Sequence, residues 1–181
     1  PSMKGLTVVQ KRLVGFGSVE LALEGPDGCF EEVWAQREIR KIEKFLESQE
    51  DVGSVMTITD LLQWIHVKLN GEESDLLEEQ YAEGIIAEGL FLLKNSGGKS
   101  AITTLLTEDS SVARISARLK AAGTGEQIKV LDELDGFLKS GVDPRLKVTI
   151  TGDSARISDQ ILTVLRSLTD SFVLTLGIIF F

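Results

Sequence analysis

The chain has a single cysteine, Cys29, so no disulfide can form within it, and a lone thiol fits reducing and oxidising compartments equally well. It has a single histidine, His66, which cannot supply a histidine-rich metal site. Set among Trp64, Ile65 and Val67 on a predicted helix, it reads as a packing or surface residue rather than the base of a catalytic triad. Proline is scarce, three residues in 181, while 43% of the chain is hydrophobic; that excludes intrinsic disorder and fits one compact domain. Clustered basic residues are lacking too. Lys and Arg occur singly or in pairs in a chain of net charge −9, so the cationic stripe that neutralises phosphates is missing and nucleic acid is excluded as a partner. The acidic surplus gathers at Glu72, Glu73, Asp75, Glu78 and Glu79 without the spacing of a calcium loop, and reads as a solvated helix face.

Motifs that carry chemistry are equally thin. Ser96-Gly97-Gly98-Lys99-Ser100 has the look of a phosphate loop, but a Walker A motif needs Gly where Leu93 stands and a strand where a helix is predicted. The neighbouring carboxylates Glu31-Glu32 and Asp132-Glu133 point apart on helices and do not make an acid–base pair. Trp34, Trp64 and Phe91 occupy helical positions and read as core, and Asp153 after Thr151-Gly152 reads as a helix cap rather than an anion site. No catalytic, cofactor-binding or metal-binding residue is assigned, no cofactor is expected, and the chain is not read as an enzyme.

What is present is a strand–helix–strand order, twice. Ser18 to Glu24 alternates with Val19, Leu21 and Leu23 on one side, and Gly25-Pro26-Asp27-Gly28 makes a turn. From Glu31 to Ser48, Ala35, Ile39, Ile42, Phe45 and Leu46 recur at helical spacing, and Val52 to Ile58 forms a second strand. The order returns with Ala113, Ile115, Ala117 and Leu119, then a helix from Gly125 to Ser140, then Leu146, Val148 and Ile150. Phe45-Leu46-Glu47-Ser48 matches Phe137-Leu138-Lys139-Ser140 at the same offset, 92 residues, at which Thr57-Ile58-Thr59 matches Thr149-Ile150-Thr151, which suggests a duplicated unit. The fold class expected is α+β: two strand–helix–strand units in a ferredoxin-like sandwich. Residues 60–98 read as a helical insertion. In it, a helix from Asp60 to Leu69, capped by Thr59 or Asp60, ends at Gly71, and a longer helix from Asp75 to Leu93 follows. Ala101 to Leu106 is predicted to pair with Val112 to Leu119 as a hairpin.

The end of the chain differs from the rest. A helix capped by Asp153 or Ser154 is amphipathic as far as Asp170, after which Ser171 to Phe181 carries no charge and is apolar on every side. Eleven residues are too few to span a bilayer, and a buried terminal helix or strand would account for them by length. The stretch stops at full hydrophobicity on Phe180-Phe181, and the chain begins at Pro1 without a leader. The reading that accommodates both is a piece of a longer polypeptide: residues 1–170 form a domain and residues 171–181 begin a truncated transmembrane helix.

Lys147-Val148-Thr149-Ile150-Thr151-Gly152, followed by a helix through Arg166-Ser167-Leu168 into Ser171-Phe172-Val173-Leu174, resembles the end of the first large extracytoplasmic loop of RND-superfamily exporters of the MMPL-like and hopanoid-exporter-like branches. Leu23-Glu24-Gly25, Phe45-Leu46-Glu47-Ser48 and Val52-Gly53-Ser54-Val55-Met56-Thr57 resemble the first porter-type repeat of that group. The resemblance implies a porter-type domain on the periplasmic side of a bacterial inner membrane, part of a proton-driven exporter of hydrophobic or lipid-like molecules. Its partners would be the remainder of the transporter polypeptide, the membrane through the C-terminal segment, the substrate and, among the partners left open, a second copy of the chain. The two units are expected to move relative to each other as the transporter cycles. Two alternatives stay open: a membrane-tethered sensor or protein-interaction domain, and a soluble α/β enzyme whose last helix is buried.

Overall fold

The computed structural model describes residues 17–71, 74–95, 99–120, 124–152, 163 and 167. Apart from residues 163 and 167, the C-terminal helix expected after Asp153 lies outside the described residues, as does the uncharged stretch 171–181. Within them the fold is α+β: β1 (Gly17–Glu24), a 3-10 turn (Cys29–Glu31), α1 (Val33–Ser48), β2 (Val52–Met56), α2 (Ile58–Asn70), α3 (Ala82–Asn95), α4 (Lys99–Leu105), β3 (Val112–Leu119), α5 (Thr124–Gly141) and β4 (Lys147–Thr151). The strands form one antiparallel sheet in the order β2-β3-β1-β4.

That order interleaves the two units. Because β3 is antiparallel to both of its neighbours, β1 and β2 run parallel with β3 between them; by the same reasoning β3 and β4 run parallel around β1. Eight consecutive residue pairs, from Gly17 opposite Leu119 to Glu24 opposite Val112, join the units at the centre of the sheet. Movement of one unit against the other would have to break this ladder and expose its backbone groups.

The alternating residues meet on one face. Val19, Leu21 and Leu23 of β1 and Ala113, Ile115, Ala117 and Leu119 of β3 are buried in one cluster with Ala35, Ile39, Ile42 and Leu46 of α1 and Val130 and Leu134 of α5. Phe45 of α1 and Phe137 of α5, the residues matched across the repeat, stack on each other with ring centroids 4.2 Å apart and planes 9° apart. The strand half of the match fares differently, because Thr57 stands at the cap of α2 while Thr149 lies inside β4. On the opposite face the sheet is polar. There Glu20 accepts hydrogen bonds from Arg114 Nε at 2.6 Å and Ser116 Oγ at 3.0 Å.

The insertion departs from its sequence reading in two places. No helix begins at Asp75: Gln63 reaches across from α2 to bond the Ser74 carbonyl (2.6 Å), which a helix starting there would use, and the Leu76 N–H (2.9 Å), and α3 starts only at Ala82. The strand expected from Ala101 to Leu106 is α4: Ile102, Leu105 and Leu106 are buried at helical spacing, and only a single bridge, Leu106 to Ala113, remains of the hairpin. The cap of α2 is Thr57, whose hydroxyl accepts the Asp60 N–H at 3.0 Å, rather than Thr59 or Asp60, and Gly71 closes the helix at φ 72°. Thr57→Ala should cost about 1 kcal/mol in denaturant unfolding; an unchanged midpoint would show that the cap contributes nothing.

Candidate functional site

α1 is built from adjoining stripes. Ala35, Ile39, Ile42 and Leu46 face the core, and beside them Gln36, Arg40 and Glu43, spaced i, i+4 and i+7, face the start of α2. Gln36 is fully buried: its Nε2 donates to the Phe30 carbonyl at 2.5 Å and its Oε1 accepts from the Thr59 hydroxyl at 2.6 Å. One nitrogen of Arg40, Nη1, donates to both Glu43 Oε2 and Asp60 Oδ1, each at 3.0 Å. The Glu43 side chain is only 3% exposed, that of Asp60 38%. Burial chiefly, then the hydrogen bond and charge of Asp60, push the Glu43 carboxyl up to about 8 against the opposing charge of Arg40, with Glu47 adding to the rise. Arg40 Nε is buried and has no acceptor.

Two grooves flank this body. The first, about 440 Å³, is lined on one side by Arg37, Arg40, Lys41 and Lys44 of α1 and on the other by Asp75, Leu77 and Glu78. Arg37 closes part of it by donating to the Leu77 carbonyl at 3.0 Å. The second, about 560 Å³, runs between α5 and the edge strand β4; Leu138, Val142, Leu146, Val148 and Ile150 give it an apolar floor, with Asp135, Lys139 and Asp143 among its other lining residues. An apolar trough with a few charged groups can hold an amphiphile without doing chemistry on it.

The other residues singled out in the sequence are dispersed. Cys29 is buried, and its thiol, which desolvation raises above its usual value, lies 3.9 Å from the Ser110 carbonyl. His66 is buried and bonds Asn70 and Ser74, so it does not meet Cys29. Trp34 is half-buried under the Arg145 guanidinium, 3.6 Å from the ring centroid, whereas Trp64 and Phe91, expected in the core, are 59% and 65% exposed on α2 and α3. Their helices bury other faces, through Leu62 and His66 on α2 and through Ile86, Leu90 and Leu93 on α3. Residues 96–98 of the phosphate-loop look-alike and Asp153 lie outside the described residues; α3, a helix, does precede that loop.

One further cluster has the outline of a catalytic serine. Ser110, at φ 54°, donates to Glu31 Oε1 at 2.8 Å, and Lys94 Nζ lies 3.0 Å from that oxygen and 3.4 Å from the serine hydroxyl. Ser110 is fully buried, however, and Lys94 is ion-paired, so the cluster staples the loop 107–111 to the 3-10 turn, where Phe30 N–H also donates to the Ser110 carbonyl. Among the described residues, no three His, Cys, Asp or Glu side chains converge as metal ligands, and no helix is long and apolar enough to cross a membrane.

No family model and no curated protein matches this chain. Gln36, Arg40 and Glu43 are not singled out by the sequence, although a signal is there: Glu43 has Ile39 four residues before it and Leu46 three after it, so it borders the apolar stripe rather than lying opposite it.

Proposed function

We propose that this chain is the extracytoplasmic, porter-type domain of a proton-driven exporter related to the RND superfamily, a non-catalytic body on the path of hydrophobic or lipid-like molecules across a bacterial inner membrane. The observation that carries the reading is the interleaved strand order, β2-β3-β1-β4 with a helix after β1 and after β3. This is the ferredoxin-like arrangement that a porter-type repeat requires. It adds to the sequence resemblance around Val148 and Phe45 and to the uncharged stretch after Asp170. In this reading the domain rocks as a unit on the membrane span that begins near Ser171, and the apolar groove between α5 and β4 contacts the substrate.

Two measurements test it. The 181-residue chain should float with lipid vesicles, and a chain ending at Asp170 should stay behind while keeping its circular dichroism; unfolding on that deletion would mean that residues 171–181 belong to the domain's core. An apolar fluorescent probe such as N-phenyl-1-naphthylamine should bind saturably to the chain ending at Asp170. Val148→Arg should weaken that binding by roughly tenfold, equivalent to about 1.4 kcal/mol. Probe binding that is absent, or indifferent to the substitution, would remove the groove from the substrate path. The exposed Trp64 and Phe91 favour a second reading, a membrane-tethered protein-interaction domain, which predicts no probe site in the groove.

A further inference from the structure

We propose that Arg40, Glu43 and Asp60 form a proton-operated clasp that holds the helical insertion against α1 and loosens as the proton leaves. The geometry sets up an imbalance of charge. A single guanidinium nitrogen serves two carboxyl groups at 3.0 Å each, so with both ionised the trio carries one excess negative charge, on a helix–helix junction where Glu43 is almost sealed from water. A shared proton removes the excess and adds a hydrogen bond between the two carboxyls. Asp60 stands in the first turn of α2, more exposed, where the helix dipole favours its anion; the proton therefore resides on Glu43.

The surroundings reinforce this. On α1 itself Glu47, one turn on from Glu43, adds negative charge; Arg37, Lys41 and Lys44 share a groove with Arg40, opposite Asp75 and Glu78, and among the described residues Arg40 is the only cation bonded to the pair. β2 presents no charged side chain, the Glu83 and Glu88 side chains of α3 are exposed, and Arg114 and Arg118 of β3 are also exposed. Among the described residues, α1 and this region are also tied by the Thr59–Gln36 bond and the Arg37–Leu77 bond, neither of which involves a carboxyl group. The trio is therefore the tie among these three that pH can undo. The clasp depends on no assumption about transport.

The sign follows from a carboxyl pushed up to about 8 in the closed form and near its ordinary 4.5 when the joint opens. Opening then releases a proton between those values, so the opening equilibrium of α2 should rise by up to about tenfold per pH unit from roughly pH 5 to 8 and level off above. Below about pH 4.5 the clasp is at full strength. Amide hydrogen exchange of Leu62 to His66, corrected for intrinsic rates, measures this on the whole chain, and carbon-detected NMR follows the Glu43 carboxyl directly. Glu43→Gln should abolish the slope while leaving α2 protected. If that variant fails to fold, Asp60→Asn serves instead and should pull the Glu43 titration down towards 4.5. A slope that is absent in the wild type, or that persists unchanged in Glu43→Gln, or a Glu43 titration that is ordinary in the wild type or unmoved by Asp60→Asn, overturns the proposal. Vesicle flotation and probe binding test transport separately, so either reading can fail without the other.

Discussion

Phe30→Ala is expected to destabilise the domain by about 3–5 kcal/mol, the cost of removing a fully enclosed aromatic ring and leaving part of its volume empty. Phe30 is completely buried in the 3-10 turn between β1 and α1, and it is among the largest side chains so enclosed. Its backbone is bound at both ends, since its N–H donates to the Ser110 carbonyl at 3.2 Å and its carbonyl accepts from Gln36 Nε2 at 2.5 Å. Losing the ring should therefore also disturb the loop 107–111 and the polar seam between α1 and α2, because Gln36 links that carbonyl to Thr59. The midpoint of denaturant unfolding reads the loss, and a change under 1 kcal/mol would show that the ring does not hold the turn.

Gly152→Ala should cost roughly 2–4 kcal/mol by a different route. Gly152 follows β4 directly and has φ 100°, a region that side chains with a Cβ rarely enter. An added Cβ would lie 2.8 Å from the Ser18 carbonyl oxygen and 3.0 Å from the Glu20 nitrogen, backbone atoms of the neighbouring strand that cannot turn aside. Relief requires the end of β4 to lift from β1, where Thr151 stands opposite Glu20. Because β4 forms one wall of the apolar groove, the substitution should also reduce probe binding, and amide exchange at β4 should accelerate. An alanine variant as stable as the parent would show that the chain leaves β4 by another path.

How far the sequence could be read differs from element to element. The strands and long helices were legible because their burial repeats along the chain: Val19, Leu21 and Leu23 at every second residue, Ile39, Ile42 and Leu46 at helical intervals. Phe45 and Phe137, matched at the common offset in the sequence, stack in space. The segment from Ser74 to Tyr81 was not legible, because Gln63, a side chain from another element, binds the Ser74 carbonyl and the Leu76 N–H at its start. Nor was α4, where the threonines suggest a strand locally and the burial of Ile102, Leu105 and Leu106 decides for a helix. Trp64 and Phe91 were misplaced because hydrophobic size says how much a residue gains from burial, not whether a neighbour arrives to cover it.

By itself the amino-acid order determined the main strands and long helices, the common spacing of the two units and the net negative charge, since each depends only on residues near one another along the chain or on composition. The strand order, the joining of both units into one sheet, and the enclosure of Glu43 beside Asp60 were decided by tertiary structure alone. Those properties arise where segments distant in sequence meet. A carboxylate changes its proton affinity according to what surrounds it, and local periodicity carries no record of that neighbour.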